Sequence, residues 1–420
     1  MFQLVNNAGI SDQELEAALT DALKGKTLKK VLLIPPDATR LHSRAGQITK
    51  IYYDTLTAAG CHVDVLPALG THEAMSRREC ETFLGVPYEA LIVHNWREDV
   101  VRLGEVPASF VSEVSGGVMN EPVAVEVNRL LLDTSYDLLI SAGQVVPHEV
   151  VGMANYSKNI FVGCGGSQMI NSSHMLSAFY GIENILGRAG TPVRRVFDYA
   201  EEQFIAHLPL LYVLTVTTQG PEGTRLDGLF IGRGRELFNQ AAALSREKNI
   251  TMVGAPLKTC VVYLDGDEFK STWLGNKAVY RTRLAMADGG RLIIIGPGVK
   301  RFGEDDQVDA LIRKYGYAGR QRLLELARDN QDLRENLSAA AHLIHGSPDG
   351  RFTVTYAVRQ LSRAEIEGVG FGYMPLEEAL RLYDPSQLKD GWNTVNGEEI
   401  YFISNPALGL WADAAGFEKS

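Results

Sequence analysis

Short apolar runs alternate with stretches of helical period through the first half of the chain, and this alternation restricts the fold more than any other feature. Residues 31–34 form an apolar run bounded by Lys30 and the Pro35-Pro36 turn signal, the mark of a buried strand. Before it, Ser11 and Glu14 make a capping box that opens an amphipathic helix carrying Leu15, Ala18, Leu19 and Leu23 up to Gly25. The pattern repeats with a helix over residues 43–60, a strand at 63–66, a helix at 76–84 and a strand at 90–93. Apolar runs at 138–140, 159–162 and 211–216 extend the sheet, and a helix at 235–243 closes the region. Repeated strand-helix-strand units give a mainly parallel sheet.

A polar stretch at 247–258 separates this region from a new strand at 260–264, a long helix around Lys277 and a strand at 291–295. A chain of 420 residues exceeds what one core usually organises. The expected fold class is therefore α/β, with two α/β domains, mainly parallel sheets and the active site in the cleft between them. The first domain is expected at 1–250, with 396–420 returning to complete it through a strand at 400–404, and the second at 251–395.

Charge and composition narrow the function. The net charge of −10 comes with no basic block, which leaves nucleic acid and anionic membrane without an electrostatic footprint. No secretory leader pattern and no apolar run of ~18 residues is apparent, so a cytoplasmic protein is expected. Cys61, Cys80, Cys164 and Cys260 are too scattered for a disulfide framework or a structural zinc site.

In open α/β sheets ligands bind beyond the carboxyl ends of the strands, and there the chain is unusual. The first strand opens into Pro35-Pro36-Asp37-Ala38-Thr39-Arg40. Arg40 can clamp a carboxylate or phosphate, although Asp37 can equally cap the next helix and pair with it. The next strand runs out at Gly70-Thr71-His72, a histidine suited to general-base work or to an ordinary loop hydrogen bond. Pro147-His148 and Lys158 follow, then Gly163-Cys164-Gly165-Gly166 before a helix bearing His174. The glycines let backbone N–H groups approach an anion at a helix N-terminus, or simply form a turn.

Together these segments resemble the lactate racemase family, the nickel-pincer hydroxyacid racemases and epimerases. That family carries D-x-T-R after the first strand and G-x-H at the next strand end. It then has P-H, a lysine ten residues on, and a histidine sixteen beyond. Here these are Asp37-Ala38-Thr39-Arg40, Gly70-Thr71-His72, Pro147-His148, Lys158 and His174. The tract Leu274-Gly275-Asn276-Lys277-Ala278 is similar to the family's Q-A-x-K helix, with Leu274 where a glutamine is common.

The resemblance implies a nickel-pincer nucleotide, a pyridinium-type mononucleotide bearing sulfur groups, covalently attached to Lys158, with His174 as nickel ligand. It implies His72 and His148 as the acid/base pair and Arg40 and Lys277 as substrate-carboxylate contacts. Asp37, Thr39, Gly163, Gly165 and Gly166 would lie at the cofactor. The partners implied are a small 2-hydroxy acid and the enzymes that mature the cofactor.

Two departures bear on substrate. Ala154-Asn155-Tyr156-Ser157 stands where the family often has Ser-Gly-Gly before the lysine, and Ala38 stands where lactate-specific members can carry histidine. Two other readings remain open on the residues alone. One is a metal-dependent hydrolase with zinc on His72, His148 and His174, and the other a non-catalytic nucleotide-binding protein using the glycine turn.

Overall fold

Val31 and Leu33 pack into one apolar cluster while Leu32 and Ile34 pack into another, so the strand is buried on both faces, as its unbroken apolar run requires. The structure, a computed structural model, describes residues 1–220, 223–407, 409–414 and 417. It divides into two compact units, Met1–Tyr180 with Ile185–Lys248, and Gly181–Asn184 with Asn249–Ser420. Among the described residues no helix is long and apolar enough to cross a membrane.

The sheet of the first unit contains β1 (Phe2–Val5), β2 (Lys30–Ile34), β3 (His62–Val65), β4 (Leu138–Gln144), β5 (Leu210–Gly220) and β6 (Gly223–Gly232). Their order is β1-β6-β5-β4-β2-β3. The pairs β3-β2, β2-β4 and β4-β5 are parallel, and β6 runs antiparallel to both β5 and β1. On one face lie α1 (Asp12–Asp21) and α2 (Ala45–Ala58), through Leu15, Leu19, Ile48 and Tyr52. The Ser11–Glu14 capping box closes as its sequence requires. The other face holds α3 (Ser167–Tyr180), α4 (Pro192–Phe204) and α5 (Arg235–Asn249), with Phe161, Phe197 and Phe238 in its core.

Chain order reverses about β2, which pairs with β3 on one side and β4 on the other. That is a topological switch point, where a crevice opens beyond the carboxyl ends.

The second unit has a sheet of β7 (Leu257–Tyr263), β8 (Met286–Ile295), β9 (Phe352–Val358), β10 (Gly372–Pro375), β11 (Gly391–Val395) and β12 (Glu398–Ile403), ordered β10-β9-β8-β7-β12-β11. Only the β11-β12 pair is antiparallel.

Several expectations need correction. The strand expected at 400–404 does not rejoin the first unit, because β12 pairs in parallel with β7. Of the tail at 396–420, residues 408, 415, 416 and 418–420 lie outside the described residues. The run at 90–93 makes a single bridge, Val65 to Leu91, after a tight turn at Tyr88–Ala90. The run at 159–162 is a wide helical turn, Asn159–Gly163, rather than a strand. Lys277 sits on a short helix, Lys277–Thr282, not a long one.

Candidate functional site

Three neighbouring strands, β4, β2 and β3, deliver His148, Asp37 and His72 to one edge of the first sheet. A cavity of about 210 Å³ there is lined by Asp37, Arg40, His72, His148, Lys158, Gly163 and His174. The polypeptide brings together residues that lie far apart in sequence because each follows the carboxyl end of a parallel strand or the helical turns just beyond it.

Asp37 caps the turn Ala38–Ser43. One oxygen accepts from the Thr39 amide at 3.1 Å and the Thr39 hydroxyl at 2.5 Å, and the other meets His72 Nδ1. Burial pushes its carboxyl up, but the bonds from His72 and Thr39 and the charges of His72 and Arg40 outweigh it and hold the group below its usual value. The Asp37 carboxylate fixes Nδ1 of His72 as the donor. In the neutral form of that half-exposed ring, Nε2 is then the proton acceptor.

His148 is set the opposite way. The Val150 amide donates to its Nδ1 at 3.1 Å, so Nδ1 carries no proton and Nε2 does. Burial, with the positive groups Lys158 and Arg40 close by, drives its pKa well below the ordinary histidine value despite Glu149, so the ring is neutral. His174, half-buried on α3, has its Nδ1 bonded to the Ile170 carbonyl at 2.6 Å, one helical turn back. A carbonyl only accepts, so Nδ1 carries the proton and Nε2 keeps its lone pair. Burial keeps this ring neutral as well. An imidazole oriented by a backbone carbonyl with its other nitrogen bare is a prepared metal ligand.

Lys158 stands at the start of the Asn159–Gly163 turn. Burial and the Arg40 guanidinium bring its amine down to about 8, against the opposing pull of Glu149 and Asp37. A pKa near 8 leaves about a tenth of the amine neutral at pH 7, far more than an exposed lysine offers. Arg40 breaks the helical turn at φ −107°, ψ 41° and lines the cavity.

Gly163 belongs to the cavity for a steric reason, since a Cβ there would lie 2.5 Å from Cβ of Ala68. Its carbonyl accepts from the Gly70 amide at 2.8 Å, which ties the His72 loop to the lysine turn.

Other expected residues lie elsewhere. Thr39 gives its hydroxyl proton to Asp37 and does not line the cavity. Gly165 and Gly166 do not line it either. Their missing side chains admit the Phe161 carbonyl and the Glu126 carboxylate, which hypothetical Cβ atoms would meet at 1.8 and 2.1 Å. The same Glu126 carboxylate accepts from the Gln168 amide at 3.3 Å, so the N-terminus of α3 already faces an anion of the chain itself. Lys277 belongs to the second unit, with its ammonium 5.7 Å from the Phe269 ring centre.

Two cavity residues had no role assigned from sequence. Glu149 adjoins His148, and its carboxylate acts on His148, Lys158 and His174. Asn159 donates to the Ser141 hydroxyl at 3.4 Å and the Ala142 carbonyl at 3.3 Å, anchoring the lysine turn on β4. Their only signal was adjacency to the histidine and the lysine. Cys164 is fully buried with its thiol pushed up, which removes it as a nucleophile.

Among the described residues no three His, Cys, Asp or Glu side chains are grouped to hold a metal ion. The three-histidine zinc site of the hydrolase reading therefore has no donor set. A metal at His174 would need donors from outside the protein, which suits a cofactor that brings its own sulfur and carbon ligands.

Residues 10–183 match the lactate racemase N-terminal domain. A lactate racemase from Thermoanaerobacterium thermosaccharolyticum is 28% identical over 288 residues, which span 66% of this chain and 61% of that protein's length. A protein from Thermotoga maritima of known crystal structure superposes with a TM-score of 0.79 at 25% identity, covering 97% of this chain and 99% of that one. The lactate racemase apoprotein from T. thermosaccharolyticum shares the fold with a TM-score of 0.69 at 18% identity, over 94% and 88% of the two chains. By this match, residues 10–183 form a lactate racemase N-terminal domain.

Proposed function

We propose that this chain racemises or epimerises a 2-hydroxy acid with the help of a nickel-pincer nucleotide attached to Lys158. The observation that carries the reading is the cavity in which a reactive lysine, a bare imidazole nitrogen on His174, an arginine and two differently prepared histidines converge. Lys158 would hold the cofactor covalently and His174 would complete its metal coordination through Nε2. When bound, the cofactor supplies the site that accepts and returns the α-hydrogen as hydride.

The remaining work belongs to the protein's own groups. Arg40 binds the substrate carboxylate with its fork of N–H donors, and Lys277 is proposed as a second carboxylate contact. His72 takes the hydroxyl proton at Nε2 while Asp37 stabilises the imidazolium that forms. His148 presents Nε2–H to the substrate oxygen of the opposite hand. To serve as base there it must adopt the other tautomer and release the Val150 amide. The partners are accordingly a small hydroxy acid and cofactor-maturation enzymes.

The test is a panel of 2-hydroxy acids offered to protein produced together with the cofactor-synthesis enzymes: short aliphatic, aromatic, dicarboxylic and sugar-derived. Interconversion of enantiomers or epimers of at least one member is expected. Hydrolysis of an ester or amide panel without any interconversion would overturn the reading.

A further inference from the structure

We infer that Arg194 is a positioning residue for Lys158: its buried guanidinium holds the loop 153–157 in the one conformation that aims the lysine into the cavity. The inference rests on Lys158 being the cofactor's attachment point.

The chain reaches Lys158 through two consecutive left-handed residues, Asn155 (φ 64°) and Tyr156 (φ 57°), neither of them glycine. Such a pair persists only where its surroundings over-determine it. Arg194 supplies much of that constraint. From α4, Nη2 donates to the carbonyls of Met153 at 2.7 Å and Asn155 at 3.2 Å, and Nη1 donates to the Ser157 hydroxyl at 2.7 Å. One rigid fork thus grips the loop before, within and after the left-handed pair.

The packing around the fork is equally specific. The Tyr156 ring lies 4.3 Å from that of Tyr212 and 5.2 Å from that of Phe238. The Asn155 side chain fills the space over Gly143, where a Cβ would stand 1.9 Å from its amide nitrogen. Where the family often has glycines, this chain has side chains and a hollow built to receive them.

Arg194 is wholly buried, and the nearby Asp198 is bonded by Arg235 instead. Its charge rests on carbonyls, a hydroxyl and the face of Phe238 at 4.3 Å. A buried cation without a bonded carboxylate is a costly way to fill a core, so its presence calls for a task that an apolar residue cannot perform. The task visible here is the loop. Asn159 secures the other side of Lys158 on β4, so the lysine is fixed from both directions.

The experiment compares wild type, Arg194→Met, Arg194→Lys and Phe197→Leu, the last a core change on the same helix that touches none of the loop's hydrogen bonds. Amide hydrogen exchange is followed in the unmatured protein, and the mass adduct on Lys158 after maturation. Arg194→Met is expected to speed exchange at 153–159 by about tenfold or more while the strands stay protected. It should also cut adduct occupancy by about tenfold. Arg194→Lys should fall between, and Phe197→Leu should keep the adduct despite a lower Tm.

Wild-type adduct levels in Arg194→Met, or an equal loss in Phe197→Leu, would overturn the positioning role. Should Arg194→Met not fold, Arg194→Lys keeps the charge without the fork and carries the same comparison. Matured wild type lacking any adduct would instead defeat the attachment reading, while the exchange data would still judge the clamp.

Discussion

Alanine at Lys158 is expected to leave a folded protein that carries no cofactor adduct and no racemase activity. The amine belongs to the one lysine that lines the cavity, and the nearby Cys164 is buried with its thiol pushed up. Folding should not suffer. Lys158 has a folded pKa near 8, below that of an exposed lysine, so the fold disfavours its charged form at and below that pH. That penalty is present at pH 7 and fades as the pH rises through the folded value towards the unfolded one. Its removal should leave the Tm of Lys158→Ala at pH 7 equal to or above that of wild type. Intact-mass measurement after maturation decides the matter: an adduct of wild-type mass on Lys158→Ala would place the attachment elsewhere.

The second large effect concerns the two histidines. His72→Ala and His148→Ala should each retain the adduct yet lose ~10²–10⁴-fold in kcat/KM, the usual contribution of a positioned acid or base. Because the two enantiomers of a racemase substrate are equal in energy, both directions must fall by the same factor in kcat/KM in either mutant. Asp37→Asn should act through His72, by removing the carboxylate that holds Nδ1–H and stabilises the imidazolium. His174→Ala should differ in kind, losing nickel while keeping the Lys158 adduct, as metal analysis beside mass measurement would show. A loss below about tenfold in His72→Ala would remove it from proton transfer.

The site was legible because parallel strands make sequence position informative. The loops after Ile34, Leu66 and Gln144 had to open on one sheet edge, and so Asp37, His72 and His148 could be placed together before any contact was known. What could not be read was contact-level detail. Gly165 and Gly166 have the composition of an anion-binding turn, yet the open face of Gly165 is taken by the Phe161 carbonyl and that of Gly166 by Glu126, more than thirty residues earlier. The tautomers of His72 and His148 follow from single bonds to Asp37 and to the Val150 amide, and spacing carries no trace of them.

The misread elements have a common cause. A short apolar run such as 159–162 is buried on every side whether it is strand or helix, and periodicity does not separate the two. The strand at 400–404 was found correctly as a strand, but its partner β7 was set by long-range packing. Arg194 is a similar case: an arginine between Pro192 and Phe197 carries no sign of burial in the sequence, and only the folded core shows it gripping the loop before Lys158.

Racemisation of an active 2-hydroxy acid in heavy water tests the hydride reading most directly. If the α-hydrogen leaves as hydride and the histidines handle only the hydroxyl proton, both enantiomers should keep protium at C2, with a trace of 2-keto acid released. A base that ionised the carbon would exchange its proton with solvent, so deuterium entering C2 at the rate of racemisation would contradict hydride transfer.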